Sequence, residues 1–239
     1  MNLTKLNLSD NIYQSPKKNF NHRKVNNLEN ISKSLNFAQQ MTFGEGDNAF
    51  HRKYRTGGIE VRNVYQLFEN TFQGKLAEFI LYEYFKFYNI PCSEPDLQTF
   101  GKGEWDSGDL EVNNFSLNVK SMKHFSSLLL LEQKDWSLDG AYLPNDQRYD
   151  YFFIVRVNIP FREIKNYKDL KVEDLENKIY FDLPGFITHH MLCLAIQNKH
   201  IIKQGLYLNS IKTKMDADNY YIHANDFMPI EEFAKLIKK

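Results

Sequence analysis

Apolar positions change their spacing several times along the chain, and each change predicts an element. From Val64 to Tyr88 they recur at helical spacing, with Leu76, Phe79, Ile80 and Phe87 as markers, and Asn89-Ile90-Pro91 ends the run. Tyr151–Val157 is a dense run of aromatic and β-branched residues that stops before Pro160, which predicts a largely buried strand. Leu128–Leu131 predicts a core strand or helix. Thr188 caps a predicted helix over 189–199, Asn219–His223 predicts a late strand, and Pro229 suits the first turn of a last helix reaching Ile237. Residues 1–40 are polar and Asn-rich, with a helix predicted near Asn27–Gln40. Gly44, Gly46, Gly57 and Gly58 bracket the basic run His51-Arg52-Lys53-Tyr54-Arg55, which reads as a loop. Lys165–Lys178 reads as a solvated loop or insertion, and Leu183-Pro184-Gly185-Phe186-Ile187 as a turn leading back to the core. The alternation of helical and strand periods gives an α/β or α+β chain around a central sheet, with no internal repeat and no clean domain boundary.

The segment that bears on chemistry is 106–121. Asn113-Asn114 separates two alternating runs, and Asn tolerates positive φ, so a two-residue hairpin is predicted. In that register Val112 faces Phe115, Glu111 faces Ser116, Leu110 faces Leu117, and Asp109 faces Asn118. Leu110, Val112, Phe115, Leu117 and Val119 then share an apolar face, and Asp109, Glu111, Ser116, Asn118 and Lys120 share a polar one. A half-exposed hairpin with a wet side would look the same. Three things favour chemistry instead. Ser121 and Lys123 extend the positive potential, Gly108-Asp109 puts an acid at a strand start where a splayed chain admits a metal, and a helix bearing Glu78 precedes it. Glu78 either faces solvent or leans over the hairpin as a further carboxylate.

Charge sharpens this picture. The 239 residues carry 30 Lys+Arg against 30 Asp+Glu, so net charge alone says nothing about partners. The distribution is uneven. Residues 1–62 hold ten bases and five acids, while residues 104–150 hold nine acids and four bases. A basic arm beside an acidic centre suits a metal-dependent nuclease, although an ordinary solvated surface gives the same counts. No apolar stretch has the length of a membrane span, and Met1–Phe20 lacks the apolar part of a secretory leader, so a cytoplasmic protein without membrane attachment is expected. Cys92 and Cys193 lack metal-site or disulfide spacing. Gly101-Lys102-Gly103 does not complete a phosphate loop, and Ser126-Ser127 does not sit in a nucleophile elbow. His189-His190 at a helix start reads as surface or capping residues, and Asp135-Trp136 and Asp139-Gly140 as turn and packing residues.

Over residues 70–157 the order Glu78 on a helix, Asp109 at a strand start and Asn118-Val119-Lys120 on the next strand resembles the PD-(D/E)XK nuclease superfamily, the fold of many restriction endonucleases. Two positions depart from that pattern: Gly108 stands where a Pro is usual, and Asn118 where an acid is usual. An amide oxygen can ligate a hard ion but adds no charge. Glu78, Glu111 and Asp106 are candidates to compensate, and an acid-to-amide exchange made to trap a substrate complex stays open.

The resemblance implies a restriction-endonuclease-like α/β core, a central mixed sheet flanked by helices, over 63–239. Residues 1–62 would form a helical and loop-rich N-terminal arm that contacts DNA and packs on this core. It implies catalytic roles for Asp109, Asn118, Lys120 and Glu78, and Mg²⁺ held by Asp109, Asn118, the Val119 carbonyl and Glu78. Arg52, Lys53, Arg55, Arg62, Lys123 and His124 are the expected DNA contacts. The function implied is a Type II restriction endonuclease acting as a homodimer on double-stranded DNA, with a methyltransferase as genetic partner. A structure-specific repair, recombination or phage nuclease is the alternative. So is a DNA-binding module without catalysis, because of Asn118.

Overall fold

The structure, a computed structural model, describes residues 2–44, 63–98, 109–209 and 213–237. In chain order the elements are β1 (Asn7–Ser9), β2 (Ile12–Gln14), β3 (Arg23–Lys24), α1 (Leu28–Phe43), α2 (Val64–Phe87), β4 (Leu110–Val112), β5 (Phe115–Lys123), β6 (Leu128–Glu132), β7 (Tyr151–Asn158), α3 (Val172–Leu175), β8 (Tyr180–Thr188), α4 (His189–Gln197), β9 (Ile201–Ile202), β10 (Tyr207–Leu208), β11 (Thr213–Lys214), β12 (Asn219–His223) and α5 (Ile230–Leu236).

The α2 helix starts in a capping box. The Asn63 side chain accepts from Gln66 N at 2.9 Å, and Gln66 Oε1 accepts from Asn63 N at 3.0 Å. It ends where Asn89 takes a left-handed φ of 53° and Ile90 N reaches back to Phe85 O at 2.9 Å. Between these stops its apolar residues circle much of the helix, because α2 packs on both α1 and the sheet.

That sheet has five strands in the order β3-β8-β7-β5-β4. The β5/β7 pair is parallel, and its neighbours are antiparallel, so the chain is mixed α/β with helices flanking a mixed sheet. The β4–β5 hairpin has the predicted register, Leu110 opposite Leu117 and Val112 opposite Phe115. Asn113 and Asn114 take φ of 49° and 66°, the two positive values that a primed hairpin turn needs. Leu110, Leu117, Phe153 and Phe186 pack on α1, α2 and α5. The other face, with Met122, Phe152 and Ile154, packs on α4 and a three-stranded sheet, β6-β12-β9. A small outer sheet, β1-β2-β10-β11, lies beyond that layer, with Leu6, Leu128, Ile202 and Tyr221 between. Among the described residues no helix is long and apolar enough to cross a membrane.

The N-terminal residues are woven into the fold rather than laid over it. Leu3 and Val25 are core residues, Thr4 bonds the Asp226 carboxylate, Leu6 N donates to the Tyr221 hydroxyl, and β3 pairs with β8. One expectation is refined and one needs correcting. The stretch 165–178 is mostly exposed, as a solvated loop should be, but Tyr167, Leu170 and Leu175 are buried and anchor it against α1 and α2. The stretch 183–187 is not a turn but the interior of β8. The β7/β8 register slips between Ile154 and Arg156, and this bulge accommodates Pro184, which has no N–H to offer a ladder. Gly185 sits beside it at φ 139°, where an added Cβ would lie 2.2 Å from Met228 O. Gly185→Ala should therefore lower stability by about 1–3 kcal/mol from backbone strain alone, measured by urea unfolding. An unchanged midpoint would mean that the backbone there relaxes freely.

Candidate functional site

β4 stops pairing with β5 at Leu110, one residue before Asp109 would meet Asn118. The Asp109 carboxylate takes over from the missing strand: its Oδ2 accepts from Val119 N at 2.6 Å. A short strand that leaves its partner thus exposes a ladder N–H, and an acid caps it. Within an antiparallel pair the N–H and C=O of one residue face the same side, so the Val119 carbonyl opens towards the same gap. Alternation along β5 then turns Asn118 and Lys120 to the face shared with Phe152 and Ile154, whose register partners they are. Asp109, Asn118 and Lys120 converge where β4 splays from β5.

Asp109 and Lys120 keep some surface in water, but their charged groups lie deep. Burial pushes the Asp109 carboxyl above the usual carboxylate range, against the opposing pull of Lys120, the Val119 N–H and Lys75. Burial likewise pushes the Lys120 ammonium down, against the negative charges of Asp109 and Asp135. Each group's charge favours the ionised form of the other, in a setting whose burial favours neither charge.

Asn118 is 6% exposed, and its Oδ1 is buried without a hydrogen-bond partner. Such orphaned acceptors are uncommon and costly, and they point to a missing donor, water or ion. The side chains of Asn118 and Asn145 reach the buried Tyr149 hydroxyl. Burial, helped by the charge of Asp109, raises that phenol to about 12, so it stays protonated.

Of the two positions predicted for Glu78, the structure excludes the solvent-facing one. Glu78 is 9% exposed, so it does not face solvent. It belongs to α2, on the opposite side of the sheet from Asn118 and Lys120, and its Oε2 accepts from Lys75 Nζ at 2.6 Å. Lys75 also donates to Asp96 O at 2.7 Å and lies over the Phe37 ring. The field that reaches Asp109 from α2 is that of Lys75. Lys75, Asp135 and Tyr149 are the members that sequence reasoning missed. Asp135 carried one available signal, an acid next to Trp136 that is buried with it in the apolar layer behind β5.

Lys123 and His124 lie at the far end of β5, where alternation sends Lys123 to the α2 side, away from Lys120. They line a separate cleft. Arg52, Lys53, Arg55 and Arg62, and also Asp106, fall outside the described residues. His189 bridges the carbonyls of Tyr149 and Asp139, a packing role. Among the described residues no group of three or more His, Cys, Asp or Glu is placed to hold a metal ion. The oxygens at the splay that could do so are those of Asp109, Asn118 and the Val119 carbonyl. No protein-family model, no curated protein and no solved structure matches the chain.

Proposed function

We propose that this chain is a Mg²⁺-dependent DNA endonuclease with a restriction-endonuclease-like core. On this reading it works in the cytoplasm as a homodimeric Type II restriction enzyme on double-stranded DNA. The observation that carries the reading is the meeting of Asp109, Asn118 and Lys120 at a splayed strand end, with an orphaned oxygen inside. That oxygen also supports the fit to a metal. Mg²⁺ takes oxygen ligands and keeps several waters, so an aspartate, an amide oxygen and a backbone carbonyl suffice in number. When bound, the ion would polarise the scissile phosphate and lower the pKa of water.

The chain's own residues do the rest. Val119 N fixes the Asp109 carboxylate through Oδ2 and leaves Oδ1 for a ligand. Tyr149 steadies the Asn118 amide. Lys120 Nζ holds the attacking water and takes up charge that develops on the phosphate. Lys75 pairs with Glu78 Oε2, and its charge reaches Asp109 as well.

With one carboxylate where the superfamily has more, metal binding should be weak. Asn118→Asp is expected to tighten Mg²⁺ binding roughly tenfold, a change of about 1.4 kcal/mol, and to raise the cleavage rate of a plasmid library. A variant that folds but neither binds Mg²⁺ more tightly nor cuts faster would remove Asn118 from the site. A second reading rests on Asn118, an amide where the superfamily has an acid: a DNA-binding module without catalysis. DNA affinity without cleavage in Mg²⁺ or Mn²⁺ would select it. Cuts that follow junctions or ends rather than sequence would make the enzyme a structure-specific nuclease instead.

A further inference from the structure

A second constellation stands at the C-terminal end of β5. A cleft of about 970 Å³ opens there, and Lys123, His124, Phe125, Arg162, Lys178 and Tyr180 are among its lining residues. Along its rim runs a row of rings in continuous contact. Tyr180 meets His22 at 5.8 Å between centroids, His22 meets Phe20 at 4.6 Å, Phe20 meets His124 at 5.7 Å, and His124 meets Phe125 at 5.2 Å. The Arg156 guanidinium backs Phe20 at 5.5 Å. The row ends in the open, because Phe125 is 61% exposed.

A lone exposed Phe needs no explanation. An exposed Phe that terminates a supported row of rings beside three cations is a different arrangement. Two acids share the cleft, Glu69 and Glu163, and Glu69 is already engaged by the Tyr167 hydroxyl at 2.6 Å. Burial first, then the charges of His22, Arg156 and Lys123, hold the His124 ring below its ordinary pKa, so it presents a neutral face at neutral pH.

We infer that this platform stacks unpaired bases of a DNA strand flipped or frayed from the duplex, while Lys123, Arg162 and Lys178 take its phosphates. The inference rests on the reading of DNA as the substrate and adds what form of it is held. Ring faces are sequence-tolerant partners because every base has a π-face, and bases inside a duplex cannot offer theirs. The positions also suit one strand. Lys123 lies three residues along β5 from Lys120, about 10 Å of extended chain, so a strand leaving the splay can reach the cleft around the sheet end.

The test uses two duplex probes with 2-aminopurine, one carrying the label in a base pair and one in a three-nucleotide overhang, with EDTA present to prevent cleavage. The overhang probe should bind more tightly than the paired one, and its fluorescence should fall on binding. Phe125→Ala should weaken the overhang complex roughly tenfold and leave the paired complex unchanged. His22→Ala, also exposed, should act in the same direction, and both variants should melt like the wild type. Equal affinity for the two probes, unchanged fluorescence, or a Phe125→Ala variant that binds like the wild type would overturn the inference. Stacking without cleavage in Mg²⁺ leaves the platform standing and removes the endonuclease. Cleavage without stacking does the reverse.

Discussion

Replacing Asp182 with alanine should lower folding stability by about 3–5 kcal/mol, a large share of the roughly 5–15 kcal/mol that holds an ordinary domain folded. The reason is Arg156. It is fully buried on β7, paired in register with Asp182 on β8. Its guanidinium donates from Nε to Asp182 Oδ1 at 2.8 Å and from Nη2 to Asp182 Oδ2. Its remaining N–H groups reach Lys18 O at 3.0 Å, Asn19 O at 2.6 Å and Ser126 O at 3.2 Å. Asp182 in turn accepts from Asn21 N at 2.9 Å. Deleting the carboxylate leaves a cation out of water among neutral carbonyls. Asp182→Asn, which keeps an acceptor, should cost less, and the double replacement Arg156→Met, Asp182→Leu should cost less than Asp182→Ala, since no charge is stranded. Urea denaturation of the three variants checks the ordering. A loss below about 1 kcal/mol in Asp182→Ala would mean that water reaches the guanidinium after all.

The second large effect is on activity. Lys120→Met should lower the rate of DNA cleavage by roughly 10²–10⁴-fold in saturating Mg²⁺, the range for losing a positioned proton-transfer group. DNA binding should change little, so the loss should fall on kcat and not on KM. Lys120→Arg should not restore the rate, because a planar guanidinium does not fit a site built around a compact ammonium. The folded state should tolerate Lys120→Met, since the variant no longer buries an ammonium, although Asp109 loses its nearest cation. Full activity in a folded Lys120→Met protein is the outcome that ends the nuclease reading at this site.

What could be read in advance divides along physical lines. The hairpin was legible because two adjacent Asn residues interrupt a strict alternation, and both turn out at positive φ. With that register, the shared face of Asp109, Asn118 and Lys120 follows from the period of two. The α2, β7, α4 and β12 elements were legible because each is long or has a clear stop. The β8 strand was hidden by Pro184-Gly185, which a reader of local signals takes as punctuation, while the fold uses the pair to make a bulge. The β1, β2 and β3 strands were hidden because strands of two or three mostly exposed residues carry no measurable period. The missed site members share one cause. Asp135 and Tyr149 reach Asp109 and Lys120 through the crossover between β5 and β7, and Lys75 through the packing of α2. Such approaches are set by tertiary structure and leave no trace in spacing. The burial of Glu78 has the same cause, since the packing of α2 and the partner three residues away decide it.

The weaving of the first residues through the fold bears on how the protein is made. Thr4 finds Asp226 and Leu6 finds Tyr221, contacts that span about nine-tenths of the 239 residues. During synthesis Thr4 and Leu6 therefore wait for these partners until Tyr221 and Asp226 have been made, and the outer sheet cannot close before Thr213–Lys214. Contacts over such separations slow folding, so Leu3 and Leu6 should stay incompletely covered over that interval, a stretch of exposed apolar surface on which a chaperone can act.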